Sequence, residues 1–174
     1  MRTALIIVDV QQGMFAYRPP LHRGDETVQR IAGLLQRARD AGTPVFHIQH
    51  DGGEGHLLAK GSAGWPHHPA VAPRAGKPVI EKRHSSSFHE TDLHKRLADA
   101  GVERLVIAGI QTEMCVDSTC RHAAALNYRV VLVSDAHSTF DSPVLPAEVT
   151  IVHHNRILGR ACAELAASDD VRFD

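Results

Sequence analysis

The chain has 174 residues, 43% apolar and 22% charged, with a formal net charge of -1. That length supports one sizeable core and argues for a single domain over 1–174. The charge balance gives no basic face for nucleic acid, and the composition is that of an ordinary globular protein.

Ala4-Leu5-Ile6-Ile7-Val8 is a branched apolar run ending on Asp9, as expected of a strand buried on both faces. At five residues it is too short for a signal-peptide core or a membrane span. Asp25 to Ala41 carries a helical stripe at Val28, Ile31, Leu34, Leu35 and Ala38, closed by Gly42. Pro44 to Ile48 reads as a second strand. Gly52 to Gly76, rich in Gly, Pro, His and Ser, reads as a long loop, and such loops are usually functional. Pro78 to Lys82 looks like a short third strand, and Thr91 can cap a helix ended by Gly101. Leu105 to Ala108 is a fourth strand, followed by a helix from Asp117 to Asn127. Arg129 to Val133 is a fifth strand, followed by Ser134-Asp135-Ala136-His137, and Leu145 to Leu158 is a last helix. The tail from Ala161 fits either more helix or an edge strand. This alternation predicts a three-layer α/β/α, doubly wound, Rossmann-like fold with a mostly parallel sheet of about six strands. Ligands in such folds bind beyond the carboxyl ends of the strands.

Three of those ends carry reactive groups: Asp9, Lys82, and Cys115 within Gly109-Ile110-Gln111-Thr112-Glu113-Met114-Cys115-Val116. A cysteine on a strand-to-helix turn lies near the positive end of a helix dipole, which favours thiolate and a nucleophilic role. Lys82 can supply a cation to that thiolate, and Asp9 can take the thiol proton and return it to a leaving amine. Packing alone would also explain a cysteine there. Met14, Phe15, Trp65 and Phe88 fall in loops after strands and are candidate pocket walls, with core packing the competing account for Phe15 and Phe88. Cys115 and Cys120 are five apart on one predicted helix, too far for a disulfide, and reduced thiols point to a cytoplasmic protein. His153-His154-Asn155 reads as a hydrogen-bonded surface rather than a ligand set.

These segments, with Asp9-Val10-Gln11-Gln12-Gly13-Met14-Phe15, Ser85-Ser86-Ser87-Phe88 and Thr91-Asp92-Leu93, resemble the isochorismatase-like cysteine hydrolases from Ala4 to about Asn155. The resemblance implies a catalytic triad of Asp9, Lys82 and Cys115 acting on the amide-type C–N bond of a small molecule through a thioester, with no cofactor. It also implies a non-proline cis peptide at Ile110-Gln111, turning the Gln111 N–H toward that of Cys115 as two oxyanion donors. Relatives usually form dimers or larger assemblies, so a homo-oligomer is expected. Nicotinamidases of the superfamily bind a metal through an Asp-x-His motif, where this chain has His50-Asp51-Gly52-Gly53. The spacing of His50, His56, His67 and His68 fits no standard metal site, so none is expected. Isochorismatases that cleave a vinyl ether lack the cysteine, so Cys115 favours acyl chemistry. That vinyl ether reaction, and a binding module without turnover, are the alternatives.

Overall fold

The computed structural model describes residues 1–173. In chain order the elements are β1 (Thr3–Val8), α1 (Gly24–Asp40), β2 (Val45–His50), β3 (Val79–Lys82), α2 (Leu93–Asp99), β4 (Arg104–Ile110), α3 (Asp117–Ala125), β5 (Arg129–Ser138), α4 (Ala147–Ala161) and β6 (Glu164–Ala166). All strands are parallel, in the order β3-β2-β1-β4-β5-β6. The chain winds outward from β1 through β2 to β3, then returns to β4 and winds the other way. The switch point therefore lies between β1 and β4, where Val8 pairs with Gly109. No helix among the described residues is long and apolar enough to cross a membrane.

Alternation along β1 divides the core. Leu5 and Ile7 pack with the α1 stripe Val28, Ile31, Leu34, Leu35 and Ala38 on one face. Ala4, Ile6 and Val8 pack with Leu93 and Leu97 of α2, Cys120 and Ala123 of α3 and Leu158 of α4 on the other. Both faces of the central strand are thus apolar, which is why it reads as an unbroken hydrophobic run.

Several boundaries differ from the sequence reading. Strand β2 continues two residues past Ile48, because His50 still pairs with Lys82 of β3. Strand β5 runs on through Ser134-Asp135-Ala136-His137-Ser138 instead of ending at Val133, with a register shift opposite Ile107 and Gly109. Its polar residues are satisfied: Asp135 accepts from the Ser168 N–H at 2.7 Å and hydroxyl at 2.9 Å, and the Ser134 carbonyl accepts from Asn155 at 2.9 Å. The tail resolves as the edge strand β6, paired with β5 from Val131 to Val133. Helix α4 begins at Ala147, after Pro146. Thr91 lies just before α2, accepting from the Leu93 N–H at 3.4 Å and donating to the Ser87 carbonyl at 2.7 Å.

The long loop is stitched to the end of β1. The Gln12 N–H donates to the Pro66 carbonyl, the Gly13 N–H to Gly64, and the His68 N–H to Val10. Gln11, fully buried, donates from its side-chain amide to the carbonyls of His50 (3.1 Å) and Trp65 (3.0 Å). Its amide oxygen accepts from the His50 N–H at 2.9 Å. One side chain thus ties the end of β2 to the loop.

Candidate active site

The ends of β1 and β3 and the turn after β4 meet at the switch point. Asp9 follows β1 with φ 51°, a left-handed conformation that aspartate tolerates better than most non-glycine residues. Lys82 closes β3, and its ammonium is fully buried. It lies 2.7 Å from an Asp9 carboxylate oxygen, 3.2 Å from the Cys115 sulfur, 3.0 Å from the His84 carbonyl and 3.3 Å from His50 Nδ1. The other Asp9 oxygen, Oδ1, has no hydrogen-bond partner among the described residues. Asp9, Lys82 and Cys115, far apart in sequence, thus share one cluster.

Cys115 sits in a single wide helical turn, Thr112–Val116, that leads into α3. Such π-type turns recur at functional sites. The preceding Ile110-Gln111 peptide is cis. Gly109 adopts φ 136°, and a Cβ there would overlap the Val8 carbonyl, so only glycine fits between β4 and β1. The turn is braced from behind. Thr112 Oγ1 and His137 Nδ1 are 2.9 Å apart, and His137 Nε2 lies 2.9 Å from Asn155 Oδ1. Asn155 donates through its Nδ2, so its Oδ1 accepts and His137 carries its proton on Nε2. The Thr112 hydroxyl therefore donates to Nδ1.

Burial, then the Asp9 charge, pushes the Cys115 thiol up to about 12, against the opposing pull of Lys82. Burial and Asp9 thus work against the thiolate that the helix dipole alone would favour. For Lys82, burial alone would lower the ammonium, but Asp9 and Cys115 outweigh it and leave its pKa raised. His50 is held below its ordinary value by burial and by Lys82. Its Nδ1 faces the Lys82 ammonium at 3.3 Å, which disfavours a second positive charge there.

A cavity of about 150 Å³ opens over this cluster. Asp9, Cys115 and His50 line it, with Met14, Leu58, Ile110 and Met114 as apolar wall and Tyr17, His56, Ser85 and Gln111 as polar lining. Of the four expected pocket residues, the structure brings only Met14 here. Phe88 is buried in the α2–α3 core beside Tyr128 and His122. Phe15 packs on the α1 core, with its ring 4.8 Å from that of His68. Trp65 contributes its carbonyl to Gln11 and Gln49, while its ring faces Lys60 at 5.9 Å. The sequence weighed His50 only as a metal ligand, not as a partner of Lys82. Its signal was the second strand, which had only to continue to bring residue 50 level with Lys82.

Asp9, His50 and Cys115 offer three donor atoms within 4.8 Å of one another, a spacing a metal ion could bridge. The Lys82 ammonium already touches all three and supplies the positive charge they face. His67 lies away from them, its Nε2 3.3 Å from the Ile48 carbonyl, and His68 caps a short turn.

Residues 3–145 match the family model described as the isochorismatase domain. The chain belongs to the isochorismatase family. It is 38% identical over 170 residues to a streptothricin hydrolase of Streptomyces noursei, covering 98% of this chain and 61% of that protein. It thus spans less than two thirds of that relative's length. A maleamate amidohydrolase of Pseudomonas putida is 32% identical over 164 residues, 79% of this chain and 74% of that one. An isochorismatase-family protein from Chromobacterium violaceum superposes with a TM-score of 0.91 at 30% identity, covering 97% of this chain and 91% of that one. Relatives of this kind are named as hydrolases, and the chain shares the family's α/β fold.

Proposed function

We propose that the protein hydrolyses an amide-type C–N bond of a small molecule through a thioester on Cys115. The observation that carries this reading is the buried Lys82 ammonium in contact with both Asp9 and the Cys115 sulfur beneath a cavity. Relatives named as a streptothricin hydrolase and a maleamate amidohydrolase support amide chemistry.

Asp9 takes the thiol proton as the sulfur attacks the carbonyl carbon. Lys82, already hydrogen-bonded to the sulfur, stabilises the negative charge as it develops there. The oxyanion is received by the backbone N–H groups of Gln111 and Cys115, both cavity residues. The proton on Asp9 passes to the nitrogen as the C–N bond breaks, leaving the acyl group on sulfur. Asp9 then draws a proton from water, whose oxygen attacks the thioester and releases the acid, returning the thiol.

Intact mass spectrometry after mixing with a panel of small amides tests the reading. An acyl adduct on Cys115, absent in Cys115→Ala, is the expected result, with hydrolysis lost in that variant. Cys120→Ala and Cys162→Ala should retain most activity. Wild-type turnover by Cys115→Ala would refute the thioester route.

A further inference from the structure

The charge inventory of the cavity bears on what it admits. Asp9, Lys82 and Cys115 sum to zero with the proton on sulfur, and still to zero once it has moved to Asp9. The site therefore has no surplus positive charge at either stage. Lys82 spends its contacts on Asp9, Cys115, His50 and the His84 carbonyl. Among the described residues, no arginine and no other lysine lines the cavity. The two histidines in its wall already have their Nδ1 atoms engaged. His50 faces the Lys82 ammonium through Nδ1, with burial and Lys82 holding its pKa below the ordinary value, and His56 turns its Nδ1 to the Leu58 N–H at 3.0 Å. Much of the remaining wall is the thioether and alkyl surface of Met14, Leu58, Ile110 and Met114.

A carboxylate brought into this space would lose water, find no cation of its own and face the Asp9 carboxylate. An uncharged amide sets no charge against Asp9 and meets polar groups such as Ser85 and Gln111 beside the apolar wall. We propose that the cavity selects uncharged small amides and rejects those bearing a carboxylate on the acyl part that enters it. At about 150 Å³ the space suits an acyl portion of only a few non-hydrogen atoms. The inference rests on Cys115 as nucleophile, but its test does not need turnover.

Iodoacetamide and iodoacetate are nearly equal in size and differ in charge. Both alkylate the thiolate, so the ratio of their rates at one cysteine cancels the fraction of thiolate present. The ratio is measured at Cys115 by fragment-ion mass spectrometry, which separates it from Cys120. The same protein unfolded in urea gives the reference. The expected result is a preference for iodoacetamide at least tenfold greater in the folded protein than in the unfolded one. In Met114→Arg, which places a cation in the wall at a half-exposed position, that preference should fall several-fold. Equal ratios in folded and unfolded protein, or a folded preference for iodoacetate, would overturn the selectivity while leaving the nucleophile intact. No labelling of Cys115 by either reagent at pH 9 would overturn the nucleophile and the selectivity with it.

Discussion

Replacing Asp9 with Asn should move two readouts of Cys115 in opposite directions. Asp9 is the base in the proposed reaction, so hydrolysis should fall, by roughly 100-fold or more for a lost general base. Yet Asp9 also raises the thiol's pKa, and its removal should make the sulfur easier to ionise. The interacting atoms lie within 4.8 Å of each other. At an effective dielectric constant of about 20, a unit charge at that distance opposes ionisation by about 3 kcal/mol, or roughly 100-fold in thiolate population. A less basic thiolate is a weaker nucleophile, which cuts the net gain in alkylation rate to about tenfold. The assay is the pH–rate profile of Cys115 alkylation by iodoacetamide between pH 6 and 9, beside amide turnover by the same preparation. If alkylation slows in Asp9→Asn, the carboxylate is not what holds the proton on sulfur. The division of labour between Asp9 and Lys82 would then be wrong.

Lys82→Met should act the other way on ionisation, raising the thiol further and slowing alkylation at pH 7 to 9. Unchanged rates across that range would remove Lys82 from the site. Gly109→Ala should cost about 3 kcal/mol or more, because its Cβ would overlap the Val8 carbonyl at a positive φ, and urea denaturation would measure the loss. Acid should destabilise the fold in a defined window. His47 is 2% exposed and held near 4 by burial, with His67 and then Arg39 adding to the effect. Below 6.5 the unfolded chain gains a proton that the folded chain refuses, so stability is full above that pH and declines as pH falls toward 4. One such histidine contributes about 3 kcal/mol to that decline. Burial lowers His67 and His137 too, adding to the slope. His47→Leu should flatten the fall in Tm between pH 6.5 and 4, and an unchanged slope would contradict the assignment.

The central strands and their order were legible because β1 and β4 are buried on both faces and announce it with unbroken apolar runs. Asp9, Lys82 and Cys115 were legible for a related reason: each stands at or beyond the end of a strand, where a parallel sheet gathers side chains. His50 was missed because β2 goes on past its apolar stretch, held by pairing with β3 that leaves no periodic trace. The loop wall, Leu58 and His56, belongs to a segment without period, where position depends on hydrogen bonds to Gln12, Gly13 and Val10 of the chain after β1. Phe88 and Trp65 misled for opposite reasons, one absorbed by the core and the other recruited through its backbone. The charge state of Cys115 depends on burial, which sequence spacing does not encode.

The amide proton of His50 has an unusual acceptor for the last residue of a strand, the side chain of Gln11. Exchange of that proton with deuterated water requires Gln11 to let go. The same side chain holds the Trp65 carbonyl, so its release also loosens the loop that supplies His56 and Leu58. The exchange rate of that one hydrogen thereby becomes a clock for how often the rim of the cavity comes apart. In Gln11→Glu, where an acceptor replaces the donating amide beside two carbonyls, that clock should run fast while the amides at the centre of β1 keep their native pace.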